Sequence, residues 1–316
     1  MLNNEKASVD LASYNKDKIV KCNDKFGLLL DDYIYEDDIK LFRLVAFRDD
    51  ERRERFKCGD LGGYISGKDN LSDDESSWVD YTSKVVGKAV VSDNSYVCKN
   101  SIIRGNASLR NNVIVEDNCE ITDTSIRDNV IIRSDCYITS RCPIKNNVKI
   151  LNGVTIDNSM IYENVTISGD IYIHDCCKIF NNVNIRSNGF DLLEISNKCI
   201  ISDNVNLRLS GVITDKVIIK SDINIKSISQ KVYLADITLP SEMEVEDAEN
   251  LLAFRKLLKG IDVVAYKSIY GELYLSIGDD FFTISNLKKA INNSDKSYGK
   301  DLLLSLINFL ELRFAQ

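Results

Sequence analysis

A single histidine, His174, stands in this 316-residue chain, and Asp175 directly succeeds it. A histidine beside a carboxylate is the smallest unit of general-base catalysis, the acid fixing the tautomer and the orientation of the ring. Ile171-Tyr172-Ile173-His174-Asp175-Cys176 is therefore the segment in which acid–base chemistry is to be sought. The other reading of the same residues is a surface histidine on a strand. Three more groupings invite chemistry. The Gly59-Asp60-Leu61-Gly62-Gly63 cluster suggests a phosphate loop, but it fits neither the G-x-G-x-x-G nor the P-loop spacing and no Lys-Ser/Thr comes after it. A tight turn that starts the first coil of a repeat array and caps its open end fits it better. Arg52, Arg53 and Arg55 in the charged turn from Arg48 to Lys57 read as a solvated face, with a phosphate clamp as the alternative. The nine cysteines have no paired spacing, so they suggest neither disulfides nor a metal site.

The element that positions most of these groups is a six-residue phrase repeated from about Ser77 to Asn188. Its clearest copies are Ala107 to Asn112 and Val113 to Asn118. Positions one and three are small or aliphatic, as in Ala89 and Val91 or Cys119 and Ile121. Residues two apart on a strand share a face, so these two point inward while positions two and four point outward. Positions five and six are mostly Asn, Asp, Gly or Ser, which tolerate left-handed backbone angles and make turns. A short strand and a sharp turn in every copy wind the chain into a prism whose successive coils pair in parallel, about 4.8 Å apart. Cys119 to Asp123 and Val154 to Asn158 are one residue short, and the register resumes at Cys199 after an interruption at Gly189 to Lys198, read as one loop thrown out. Five cysteines (Cys119, Cys136, Cys142, Cys177 and Cys199) fall at position one, where a thiol serves as a small hydrophobe.

Taking every third phrase to one wall produces outward columns. On one wall position two reads Trp78, Tyr96, Ile114 and Ile131, then Lys149 and Thr166, an apolar stripe of the kind that marks an interface. On another, position four reads Arg110, Arg127 and Lys145 beside Ser108 and Ser125, a basic ladder suited to an acidic partner or ligand. The alternative is that the chain's own terminal pieces cover both columns.

This pattern resembles the hexapeptide-repeat, left-handed parallel β-helix proteins, in which three phrases make one coil. The resemblance implies an all-β solenoid of about eight coils. Within that class, Ala46-Phe47-Arg48-Asp49, then Lys57 to Ile65, Asn70-Leu71-Ser72 and Ser77-Trp78-Val79 leading into the hexads resemble the YdcK-like proteins of bacteria and their phages. The specific words cover about Leu41 to Asn118. Members are labelled transferases on fold alone, so the resemblance implies no defined set of site residues. The acyltransferases of the wider class use a histidine general base with an acyl-CoA, which would make His174 the base, Asp175 its orienting group and acetyl-CoA or another acyl-CoA the cofactor. Otherwise neither cofactor nor metal is expected, and the carbonic-anhydrase version of the fold needs three histidine ligands.

The chain reads as three segments: 1–64, an N-terminal segment and cap with a strand over Leu41–Phe47; 65–240, the β-helix; and 241–316, a small α+β module. In the module, Ser241-Glu242-Met243-Glu244 is a capping box that opens a helix to about Lys259, stopped by Gly260. Strands are expected at Val263–Lys267, Leu273–Ile277 and Phe281–Ile284, and helices at Asn286–Asn292 and Lys300–Phe314. A net charge of -8 disfavours a general nucleic-acid or membrane-surface binder. Without an apolar signal core, a cytoplasmic location is expected, secretion by another route being compatible with the same residues. Two functions suit these features: a non-catalytic scaffold that engages a protein partner or a second copy of itself, and the acyl-CoA-dependent transferase.

Overall fold

The computed structural model describes residues 7–315 except 75, 190, 236–238, 240–242, 246–249, 259–260, 269, 279 and 294–299. The chain divides into two compact units, Met1–Asp175 and Cys176–Gln316. Both contain parallel β-solenoid, about 9 turns in all, one more than the repeat spacing predicts.

In the first unit the phrase does what its residues dictate. Positions one and three are buried throughout, as in Ala107, Leu109, Val113 and Val115. In most phrases positions five and six both take left-handed angles, as in Asn111 (φ 58°) with Asn112 (φ 64°) and Asp128 (φ 67°) with Asn129 (φ 62°). Asn and Asp adopt this region more readily than other L-residues. Here they also hydrogen-bond up the corner: Asn112 Nδ2 donates to Asn129 Oδ1 (3.2 Å), Asn129 to Asn147 (3.3 Å) and Asn147 to Asn164 (3.2 Å). The two five-residue phrases keep one left-handed residue each, Asp123 and Asn158. Their C-terminal neighbours, Thr124 and Ser159, then occupy the inward position and are buried. Thr124 Oγ1 donates to the Cys142 carbonyl and Ser159 N to Cys142 Sγ (3.4 Å), so the polar atoms brought inside are satisfied on one corner.

Four strands close the start of the array: β1 (Ile19–Lys21), β2 (Phe26–Glu36), β3 (Ile39–Ala46) and β4 (Leu61–Ile65). They pair antiparallel in that order, and β4 then pairs in parallel with Lys84–Val85, converting a meander into a solenoid. The glycine cluster thus begins as the expected turn, Asp60 N donating to the Lys57 carbonyl (2.9 Å) with Gly59 left-handed (φ 88°), and continues as strand β4 from Leu61. Gly62 is required there because a Cβ would lie 2.7 Å from Trp78 Cζ2 and 2.8 Å from the Val79 carbonyl. Lys25 is fully buried at this end, its Nζ donating to the carbonyls of Ser72, Asp74 (2.9 Å) and Ser77 (3.2 Å) and to Ser77 Oγ (2.9 Å). Burial pushes its pKa down to about 8.

In the second unit, Lys178–Phe180, Ile200–Ser202 and Ile218–Lys220 stack in parallel, as do Asn184–Ser187, Asn206–Thr214 and Asn224–Ala235. The interruption after Gly189 is only partly a loop. Leu193–Ile195 is a strand that pairs with Gly211–Ile213, with Leu193 and Ile195 buried two apart as in any other phrase. The C-terminal module is a four-stranded antiparallel sheet, Leu251–Leu258, Ile261–Lys267, Leu273–Ile277 and Asp280–Thr283, with helices α1 (Ile284–Asn292) and α2 (Lys300–Phe314). The expected helix to Lys259 is corrected: Leu251–Leu258 is a strand. Its helix-forming Leu, Arg and Lys content is overridden by pairing with Ile261–Lys267, residue Leu252 facing Ala265 and Phe254 facing Val263. Both ends expected for that helix, Ser241-Glu242 and Lys259-Gly260, lie outside the described residues. Val263, Ala265, Leu275, Ile284, Leu287, Ile307 and Leu310 make the core of the module.

Candidate binding surface

The apolar stripe is in the expected register: Trp78 pairs with Tyr96, Tyr96 with Ile114, Ile114 with Ile131, and Ile131 with Lys149. Its first two members are nevertheless not free surface. Trp78 is 2% exposed, with the Phe56 ring stacked on it at 4.3 Å. The Arg55 guanidinium lies 4.7 Å over the Tyr96 ring. Its Nη1 donates to the carbonyls of Ser76 (2.7 Å), Asn94 (2.9 Å) and Ser95 (3.3 Å). Burial raises the Tyr96 hydroxyl well above the ordinary tyrosine range. The turn over Arg48–Lys57 is held in shape by Asp50, whose carboxylate accepts from the backbone N–H groups of Arg52, Arg53 and Arg55 and from Ser76 Oγ. Arg52 and Arg53 are exposed, as a solvated face predicts, while Arg55 and Phe56 of the same turn cover the start of the stripe. Ile114 and Ile131 are half-buried.

The basic ladder is also in register, Arg110 on Arg127 and Arg127 on Lys145, with Ser108 on Ser125 beside it. Arg110 and Arg127 are exposed and Lys145 is half-buried. Arg110 Nε donates to Ser108 Oγ (2.8 Å), Arg127 reaches its own neighbour Asp128 (3.4 Å), and Lys145 lies 5.7 Å over Tyr162. Like charges one rung apart repel by up to roughly 1 kcal/mol in water, so an anion bound here relieves repulsion.

His174 lies at a strand end with Nδ1 2.7 Å from Asp175 Oδ2, and its ring stacks on Tyr172 at 4.3 Å. Asp175 has a left-handed backbone (φ 57°) on the turn. The histidine and its carboxylate are thus together, as the adjacency suggested. Neither shares a wall with the ladder: Tyr172 pairs with Thr155 and Thr155 with Tyr137, a different column from Arg110 and its neighbours. The five cysteines at position one are buried and none is in a disulfide, and burial pushes the Cys142 thiol up to about 11. Among the described residues no three His, Cys, Asp or Glu side chains converge as a metal site, and no helix is long and apolar enough to cross a membrane.

Sequence reasoning missed two sets of residues. Arg43 lies between the rings of Tyr64 (3.7 Å) and Tyr81 (4.1 Å) and donates to the carbonyls of Gly62 and Tyr81, tying β3 to the first coils. Nothing in the repeat signals it. The second set is Arg186, Arg208 and Lys226, which stand in register in the second unit. They were detectable, because Asn184-Ile-Arg186, Asn206-Leu-Arg208 and Asn224-Ile-Lys226 repeat the polar–aliphatic–basic word of Ser108-Leu-Arg110 and Ser125-Ile-Arg127. No protein-family model and no curated protein sequence matches the chain.

Proposed function

We propose that this chain is a non-catalytic binding or scaffold protein of the hexapeptide-repeat, YdcK-like kind that engages a protein partner or a second copy of itself. One observation carries this reading: Arg110, Arg127 and Lys145 form a column whose sole ion-pair partner among the described residues is Asp128, a neighbour in sequence. Every rung thus offers a cation to an acidic partner. Apolar side chains on α2 support the same reading, Leu302 (51% exposed), Phe309 (49%) and Leu312 (73%) being more exposed than folding alone favours. Neither nucleic acid nor a membrane is the partner proposed. The test is the solution mass of the purified protein together with affinity capture by wild type and by Arg110→Glu/Arg127→Glu. A monomer whose captured partners are unchanged by the double charge reversal defeats the reading.

The 2.7 Å contact of His174 with Asp175 favours one alternative, an acyl-CoA-dependent transferase with His174 as general base and Asp175 orienting it. Acetyl-CoA then raises the melting temperature, and His174→Ala abolishes turnover. No thermal shift with any acyl-CoA removes this alternative.

A further inference from the structure

The second unit carries a ladder of its own. Asn184-Ile185-Arg186, Asn206-Leu207-Arg208 and Asn224-Ile225-Lys226 pair residue for residue in parallel strands. Ile185, Leu207 and Ile225 are fully buried, so the residues on either side of each point outward from one wall. The asparagines form a continuous amide column, Asn184 Nδ2 donating to Asn206 Oδ1 (2.8 Å) and Asn206 Nδ2 to Asn224 Oδ1 (2.9 Å). Beside it, Arg186, Arg208 and Lys226 are all exposed. Among the described residues none of the three makes an ion pair, and their one side-chain contact is Arg186 Nε to Asn184 Oδ1 at 3.4 Å. The chain as a whole has 48 acidic against 40 basic residues. Three adjacent cations with no ion pair among the described residues are a local reversal of that balance, although Glu244 pairs in register with Asn224 on the next rung.

We infer that this wall binds a linear anionic polysaccharide. Cations at a fixed pitch of about 4.8 Å suit a ligand that repeats its anion along an axis better than a single phosphate, which one or two rungs would satisfy. The amide column sets the second requirement. An amide offers two donor hydrogens and two acceptor lone pairs, so Asn184 and Asn206 each retain capacity for a ligand hydroxyl. Guanidinium groups meet carboxylate or sulfate, and amides meet sugar hydroxyls. Other polyanions fit less well. Single-stranded nucleic acid relies on aromatic platforms for its bases, and none of the six outward side chains is aromatic. An extended acidic peptide presents same-face side chains about 6.6 Å apart, out of step with the rungs. The site shares no residue with the Arg110 ladder and holds whether or not that ladder takes a protein partner.

The full-length protein tests this by affinity electrophoresis through gels containing polygalacturonate, dextran sulfate or neutral dextran, with oligothymidylate and polyglutamate as soluble competitors. The expected result is retardation by at least one anionic polysaccharide, none by neutral dextran, and weakening by added salt. The Arg186→Gln/Arg208→Gln/Lys226→Gln variant should bind roughly tenfold more weakly, the scale of losing charge-assisted contacts, while Lys178→Gln, exposed on another wall of the same unit, binds as wild type. If the triple variant does not fold, Arg208→Gln alone is read by the same direction of change. No retardation by either anionic polysaccharide, undiminished retardation of a folded variant, or tighter binding of oligothymidylate or polyglutamate would each overturn the inference.

Discussion

The stripe that begins at Trp78 and the ladder that begins at Arg110 belong to the same unit and rise by the same pitch, yet the first two rungs of one are covered and the other is open. Phe56 and Arg55 close over Trp78 and Tyr96, whereas Arg110 and Arg127 face solvent. The difference lies in what each column loses on exposure. Burying large aromatic side chains stabilises by about 25 cal/mol for each Å² of apolar area, enough to recruit a short non-repeating turn as cover. Burying a column of like charges costs free energy unless counter-charges come with the cover. Apolar outward positions in a solenoid are therefore apt to be claimed by the same chain, and basic ones are left for something else.

That contrast can be broken beneath the cover, at Ser72, Asp74 and Ser77, neighbours of the Ser76 that meets Arg55 and Asp50. Lys25→Met removes the ammonium that satisfies the Ser72, Asp74 and Ser77 carbonyls and leaves several buried acceptors unmet, each costing about 1–3 kcal/mol. A loss of about 3 kcal/mol or more is expected by chemical denaturation, the largest effect of the series. Arg55→Ala strips the guanidinium from Tyr96 and three carbonyls, for a loss of about 2 kcal/mol and increased quenching of Trp78 fluorescence by acrylamide. If Trp78 is quenched equally in both proteins, Arg55 is not part of the cover. A smaller effect is expected on acidification. Burial alone would raise the Asp74 carboxyl, but donation from Ser72 and Ser77 and the nearby Lys25 charge bring it down to about 2. A folded pKa below the unfolded value of about 3.9 means that this stabilisation is full above about pH 4 and fades as pH falls from about 4 to about 2. Asp74→Asn should flatten that part of a melting-temperature-against-pH profile, and an unchanged slope would place the acid sensitivity elsewhere. The smallest effect belongs to the open column: Arg110→Glu/Arg127→Glu should leave stability within about 0.5 kcal/mol, and a larger loss would show that the ladder is structural after all.

Much of this was readable from residue types alone. Position one and three burial, paired left-handed turn residues and the membership of each column all derive from side-chain alternation and from Asn and Asp chemistry, even across the two short phrases. The unreadable part depends on tertiary choice. Nothing about Arg55 or Phe56 says that they fold back onto Trp78, since neither belongs to the repeat. Leu251–Leu258 has the composition of a helix, and only its neighbour strand decides otherwise. The Leu193–Ile195 strand was hidden because the residues before it break the count, although its own inward pair is ordinary. The candidate site divides in the same way. The outward columns were visible as columns, while the state of their surfaces was not.

The asparagine column from Asn112 to Asn164 has a consequence for how the molecule forms. Its links join residues 17 or 18 apart, and in the second unit Asn181 and Asn182 reach Asp203 and Asn204 across 22. Each rung touches only the next, so a completed coil is a template on which another closes a loop of one turn. Assembly then resembles a zipper, its slow step being the first coil and its later steps nearly alike. A chain built this way can gain or lose a whole coil without disturbing the rest, and an insertion such as the one before Leu193 costs little more than the closure of a slightly longer loop.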